Sequence, residues 1–489
     1  MNKNVKMKLN AAMFRDKVYA CWIGKNIGGT MGTPYEGKRE MLDIKGFASE
    51  AGAPLPNDDL DLQLVWLHAV EQLGPRAINA ATLGEFWLSF LPPHWNEYGI
   101  GKNNMKRGLI PPLAGDYENN WKDSNGAWIR TEIWACMAPA CPNLAAKYSI
   151  EDAKVDHGSG EGTYAAAFVA AMQSAAFVIG DLRKCIEIGL SVIPADCRVA
   201  DSVRLVMECY DAGKTPTEAR NTVFERNQDI GDGWFEAPSN VAYTILGLLY
   251  GEGDFKKSMI LAINCGDDTD CTGATVGSTL GILGGTAAIP ADWKSHIGDE
   301  IVTISIDRGG VCRKLPATCT ELTDRVTAQT PHVLFANGAY IAITDGEEVL
   351  PDDATSFIAE NCRPMDALVP YSMHFDFTFA SAVVSLDGAP DIEPMGARTV
   401  RVRIKNNCAA FDRGLYNLTF RWWLPEGFST EGGRKTKVLP RKDSHNDATC
   451  TVEFTLRAGE TVEAVNRCVL EIVGEGRFTP MYIPITLLG

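Results

Sequence analysis

The chain has 489 residues and sets 46 Lys and Arg against 62 Asp and Glu, for a formal charge of -16. That balance excludes a nucleic-acid-binding face, which needs clustered basic residues against phosphate, and docking on an anionic membrane surface. With 45% hydrophobic and 22% charged residues, disorder and collagen-like structure are excluded as well.

Taken in chain order, Met1 to Leu9 alternates Lys and Asn with single apolar residues and lacks a hydrophobic signal core. No stretch approaches eighteen apolar residues. The fourteen cysteines are scattered, and no two have CxxC spacing. A zinc ribbon, a thioredoxin-type site and a disulfide scaffold are therefore not expected. The expectation is a soluble, reduced, cytoplasmic protein. From about Ala12 to Leu322, apolar residues recur at helical spacing. Leu60, Leu64, Leu67 and Glu71 trace one helix, closed by Gly74-Pro75. The stretch from Pro92 to Asp123 reads as a long loop of the kind that covers a site. The small-residue runs Thr163–Val178 and Thr272–Ala288 predict close helix–helix packing in a buried bundle. Beyond about Pro331 the pattern turns to β-branched and aromatic alternation, as in Arg398–Ile404, Tyr416–Trp423 and Thr449–Leu456. The expected architecture is mainly α: an all-helical domain over residues 1–330, followed by an antiparallel, Ig-like β-sandwich over 331–489.

Two acidic clusters stand out. Pro56-Asn57-Asp58-Asp59-Leu60-Asp61 precedes one apolar helical run, and Cys265-Gly266-Asp267-Asp268-Thr269-Asp270-Cys271 precedes the Thr272 run. A third element is Glu36, in Gly28-Gly29-Thr30-Met31-Gly32-Thr33-Pro34-Tyr35-Glu36. Each Asp cluster falls at a first helical turn, where free N–H groups and the macrodipole tolerate negative charge. A helix cap explains either cluster alone. If the two converge, their carboxylates repel, and hard divalent cations remove that penalty. A pair of ions roughly 3.5–4 Å apart, bridged by one carboxylate, suits about five acids. No HExxH, GxSxG or Walker-type Gly-Lys-Ser occurs.

These blocks together resemble the ADP-ribosylglycohydrolase family, which includes the dinitrogenase reductase-activating glycohydrolase. Gly24-x-x-x-Gly28-x-x-x-Gly32-x-Pro34-x-Glu36 is similar to the family's opening glycine-rich helix with its Glu. Asn57-Asp58-Asp59 falls on its Thr-Asp-Asp motif, Asn125-Gly126-Ala127-Trp128-Ile129-Arg130 on its Gly-Asn-Gly block, and Asp268-Thr269-Asp270-Cys271 on its closing Asp-Thr-Asp-Thr. The match spans roughly residues 13 to 300. The resemblance implies an all-helical core holding two Mg²⁺ ions, with Mn²⁺ the alternative, and hydrolysis of the bond between ADP-ribose and a protein or small-molecule acceptor. It implies that Asn57, Asp58, Asp59 and Asp270 hold one ion, and Asp268, Asp270 and Cys271 the other. Glu36, Asp59 and Asp270 would be catalytic. His157, Gly158, Ser159, Gly160, Asn125, Gly126 and Arg130 would bind substrate, with Trp128, Tyr164 and Phe235 as further candidates to stack on adenine.

Three positions depart from the family pattern. Asn57 replaces Thr, Gly29 replaces an Asp, and Cys271 replaces Thr, with a sulfur that is a poor partner for Mg²⁺. These departures keep two other readings open: a non-catalytic binder of ADP-ribose-like ligands, and a hydrolase of another glycoside on the same site. In the C-terminal region, the adjacent Trp422 and Trp423 suggest either a sugar platform or one sandwich-core and one interface residue.

Overall fold

The structure is a computed structural model that describes residues 5–231, 233–307, 314–377, 379–407, 416–433, 435–440 and 448–489. The chain divides into two compact units, one of Met1–Glu97 with Asn120–Ala367 and the other of Tyr98–Asn119 with Leu368–Gly489.

The first unit is helical. Its opening helix, Ala11–Gly32, is started by Asn10, whose side chain accepts from the amides of Ala12 and Met13. Asp58–Leu73 is the helix expected from Leu60, Leu64 and Leu67; all three are buried, and Gly74 at φ +79° ends it. The small-residue runs form Glu161–Ala176 and Thr269–Gly284, both buried along nearly their whole length.

Glycine dictates how the first and last of these helices meet. They run antiparallel with their backbones in contact. A Cβ on Gly24 would lie 2.1 Å from Gly277 O, one on Gly28 2.1 Å from Gly273 C, and one on Gly32 2.3 Å from Thr269 O. From the other side, a Cβ on Gly277 would lie 2.0 Å from Gly24 O, and one on Gly281 2.3 Å from Ala20 O. No side chain fits between the two helices. The C-terminal end of the first is thereby held against the N-terminal turn of the last.

The second unit is a sandwich of two antiparallel sheets. Four strands run in the order Met481–Leu488, Val465–Gly474, Tyr416–Trp423, Thr436–Leu439. Five run in the order Ser372–Asp376, Ala380–Leu386, Ala397–Asn406, Thr449–Arg457, Ser429–Glu431. Strand alternation builds the core: Cys450, Val452, Phe454 and Leu456 point inward from one strand and Cys468, Leu470 and Ile472 from another.

Three expectations change. The stretch 92–123 is not one loop: it carries the helices Asn96–Lys106 and Leu113–Asp116, and Leu109, Leu113, Ala114 and Tyr117 join the sandwich core. The division does not fall at residue 330. Pro331 sits inside the helix Cys319–Ala336, and strand Ile341–Thr344 pairs in parallel with Met7–Asn10, so the helical unit runs to 367. Trp422 and Trp423 form no common platform, because neighbours on a strand face opposite ways. Trp422 packs on Phe454 at 5.3 Å, while Trp423, 48% exposed, lies under Arg421 and donates to Glu471.

An alanine in a helix normally stabilises relative to glycine by roughly 0.5–1 kcal/mol. At Gly28 and Gly277 the sign inverts, because the added methyl meets backbone. Gly28→Ala and Gly277→Ala should each destabilise by about 1–3 kcal/mol, the range for overpacking, as read by urea unfolding; an unchanged or raised midpoint would disprove the backbone contact.

Candidate metal centre

The two Asp clusters do converge. Asn57 caps the Asp58 helix, its Oδ1 accepting from Asp59 N at 2.8 Å, and its Nδ2 donates to Asp270 Oδ2 at 2.9 Å. The amide of Asn57 thus ties one cluster to the other, and its oxygen is engaged by the cap. Asn125 performs the second tie. Its Nδ2 donates to Asp268 Oδ2 at 2.6 Å, and its Oδ1 accepts from Trp128 Nε1 at 2.8 Å. Glu36 follows the 3₁₀ turn Thr33–Tyr35 at the end of the glycine helix and keeps an exposed edge.

Asp59, Asp268 and Asp270 are buried, at 1%, 5% and 4% exposure. Both oxygens of Asp59, Oδ1 of Asp268 and Oδ1 of Asp270 lack a hydrogen-bond partner. One ligand atom from each of Asp59, Asp270 and Cys271 falls within 4.8 Å of the other two. Buried carboxylate oxygens are rarely left unsatisfied, since each carries a desolvation cost. Here several point into one place, and that donor set fits a divalent cation. The electrostatics agree. Burial, then Asp270, holds the Asp268 carboxyl well above its usual range. Burial does the same for Asp59, with Lys25 opposing and Asp270 and Asp58 adding to the rise. Repulsion from Asp270, then burial and Asp58, pushes Glu36 up to about 8.

Lys25, missed by motif reading, sits behind this cluster. It is fully buried, with Nζ 3.1 Å from Glu132 Oε1 and 4.0 Å from Asp59 Oδ2. Burial opposes its charge, but Asp59 and Glu132 raise its pKa above the usual lysine value. Glu132 also accepts from Gln63 Nε2 at 3.0 Å and Ser278 Oγ at 3.1 Å. The available signal was one charged residue inside the apolar run Trp22-Ile23-Gly24-Lys25-Asn26-Ile27.

The residues expected to bind substrate divide. Asn125 lies at the centre through its bond to Asp268, while Gly126 O accepts from Arg130. Arg130 does not face the centre. This side chain is wholly buried, bonded to Asp152 Oδ1 at 2.9 Å and to both oxygens of Asp156 at 2.8 and 3.0 Å, and it also donates to Gly126 O. His157 is equally buried. Its Nδ1 lies 2.9 Å from Asp156 Oδ1, its Nε2 3.3 Å from Ser124 Oγ, and Glu97 completes the group. Burial works against its charge, yet Asp156 and Glu97 leave its pKa raised. Both residues are packed into a buried ion-pair network. The glycine loop is closed as well: Gly160 N donates to His157 O, Glu161 N to Asp123 Oδ1 and Gly162 N to Lys122 O. Gly158 and Gly160 are buried and only Ser159 is partly exposed. Among the aromatic residues, Trp128 and Tyr164 are buried and Phe235 is half-buried.

The family model for ADP-ribosylglycohydrolase matches residues 10–329. The chain belongs to the ADP-ribosylglycohydrolase family, and membership makes it a glycosyl hydrolase. The family acts on ADP-ribosylated substrates and binds divalent metals. Among solved structures, the chain is similar to one described as an ADP-ribosylglycohydrolase-related protein complex, at 21% identity and TM-score 0.44, covering 66% of this chain and 99% of that one. Slighter likenesses are to a FixG-related protein from Vibrio parahaemolyticus, at 9% identity and TM-score 0.18 over 23% of this chain and 97% of that one. Another is to the GAE domain of GGA2p from Saccharomyces cerevisiae, at 8% identity and TM-score 0.15 over 24% and 97%. No curated protein matches.

The raised carboxyls give the metal-free protein a defined pH response. Glu36, from 4.5 to about 8, together with Asp59 and Asp268, binds more protons folded than unfolded. Stability in chelator therefore falls as pH rises from 4.5 toward 8, and excess divalent cation relieves the fall. Calorimetric Tm across that window, with and without metal, checks this; a Tm indifferent to metal at pH 8 would refute it.

Proposed function

We propose that this chain hydrolyses an ADP-ribosyl N- or O-glycosidic bond and releases ADP-ribose from a protein or small-molecule acceptor, with Mg²⁺ as a metal of the centre and two ions as its complement. The observation that carries this reading is the convergence of Asp58, Asp59, Asp268 and Asp270 beside Glu36, with buried carboxylate oxygens that no protein group satisfies. Asp58, Asp59, Asp268 and Asp270 would hold the ions, with Cys271 at the edge of the set; Asn57 acts as the strut that aligns Asp270.

When bound, such ions orient a sugar's hydroxyls and lower the pKa of water. The remaining chemistry falls to the chain's own side chains. Departure of the acceptor builds positive charge on the ribosyl ring, and the clustered carboxylates stabilise it. Glu36, like Asp58, keeps an exposed edge, so substrate and water reach it. With its pKa moved near neutrality it exchanges a proton at working pH, which general acid–base catalysis requires. The tie from Asn125 holds Asp268 in place, so its free oxygen points toward the cluster.

Asp270→Asn should lower ADP-ribose release at least about 100-fold, the upper range for disturbing a metal's surroundings. It should also remove bound divalent metal in elemental analysis. The assay follows ADP-ribose released from a panel of ADP-ribosylated proteins and small molecules. Full turnover in Asp270→Asn would sink the mechanism, and the absence of any substrate for the intact chain would sink the activity.

A further inference from the structure

Cys271 is the one soft donor in a centre otherwise built of oxygen. We propose that Asp59, Asp270 and Cys271 form a mixed carboxylate–thiolate position that selects a thiophilic divalent ion such as Zn²⁺, next to the oxygen donors that suit Mg²⁺. This rests on the metal-centre reading above and departs from an all-oxygen pair of ions.

The geometry carries it. Bonds of about 2.0–2.3 Å from oxygen and sulfur place two ligands of one ion about 3.5 Å apart, and the Asp59, Asp270 and Cys271 ligand atoms lie within 4.8 Å of one another. The carboxylates that face the sulfur are the unsatisfied ones: Oδ1 and Oδ2 of Asp59 and Oδ1 of Asp270 have no hydrogen-bond partner, at 1% and 4% residue exposure. Twelve described cysteines are buried free thiols, and a buried thiol usually serves as a small apolar side chain. Among the described residues, Cys271 is the only one of them in such a group of close ligands. Its neighbourhood is not apolar, because the Asp59 and Asp270 carboxylates lie within 4.8 Å of its sulfur. Thiolate is a weak partner for Mg²⁺ and a strong one for Zn²⁺ and Co²⁺. As the sulfur–metal bond forms, the thiol proton leaves to bulk water, and no oxidation state changes.

The test uses the full chain, stripped with chelator and reloaded with Co²⁺ as a spectroscopic probe. The expected result is an intense near-ultraviolet sulfur-to-cobalt charge-transfer band. It should be absent from Cys271→Ser, which still binds cobalt and keeps the circular dichroism of the parent. Zn²⁺ affinity, measured by competition with a chromophoric chelator, should fall at least 10–100-fold in Cys271→Ser, with Mg²⁺ affinity little changed. Failure of cobalt to bind, a cobalt spectrum without the band, or equal Zn²⁺ affinity in the two proteins would each overturn the proposal. An ADP-ribose release assay on the same samples separates the two readings. Hydrolysis without the band removes the thiolate position and leaves the activity standing. The band without hydrolysis does the reverse.

Discussion

The contact between Ala11–Gly32 and Thr269–Gly284 is the constraint on which the centre depends. Because Gly24, Gly28 and Gly32 meet Gly277, Gly273 and the Thr269–Asp270 backbone with no side chain between, the two helices cannot slide or rotate without collision. Interiors packed this closely transmit position rather than absorb it. The register sets Gly32 against Asp270, and Thr269 Oγ1 donates to Gly32 O at 2.9 Å. The segment leading to Glu36 therefore starts beside the acids at the head of the last helix. A chemical site assembled from residues more than two hundred positions apart is fixed by five glycines that take no part in its chemistry.

Helix ends alone do not account for so many acids in so little volume. The macrodipole favours a carboxylate in the first turn by about 0.3–1 kcal/mol, whereas an uncompensated buried ion costs several kcal/mol. The second effect wins, and burial holds the carboxyls of Asp59 and Asp268 well above their usual range. The contrast with the neighbouring acids is informative. Asp152 and Asp156 are just as buried, yet Arg130 and His157 occupy their lone pairs. Glu132 is likewise engaged by Lys25, Gln63 and Ser278. Burial is shared by all these carboxylates; what separates them is whether the protein supplies their partners. The satisfied acids form the rigid backing, and the unsatisfied ones face the place where a cation fits.

Much of this was legible in the sequence, for physical reasons that also mark its limits. An Asp pair at the head of an apolar run announces its location, because capping chemistry and helical periodicity are local. The strands were legible for the same reason: two-residue alternation in Arg398–Ile404 and Thr449–Leu456 matches the burial of Val400, Val402, Val452 and Phe454. Arg130 and His157 sit in a buried ion-pair network that the sequence does not announce, since a motif specifies residue type but not which neighbours share its hydrogen bonds. Asp152 and Glu97, which join that network, belong to no motif. The stretch 92–123 misled through its prolines and glycines, because its helices bury Leu109, Leu113 and Tyr117 against strands more than 250 residues further on. Pro331 misled similarly, as a helix breaker held inside a helix.

The three departures from the family pattern are neighbours in space, and they have one geometry in common. Gly29 lacks a side chain, and a Cβ there would approach Asn57 Nδ2 to 3.0 Å, so the amide of Asn57 occupies the volume that a side chain at position 29 would need. Asn57 in turn donates to Asp270, and Cys271 is the next residue along the helix, its sulfur beside the same carboxylate. All three changes act on Asp270 and its surroundings. One of them, Gly29, removes a carboxylate, while Glu36, Asp58, Asp59, Asp268 and Asp270 are all present. A site losing its chemistry would be expected to lose charged donors, whose uncompensated burial is costly. Here five such groups persist although position 29 carries no carboxylate, and Asn57 fills the volume beside it.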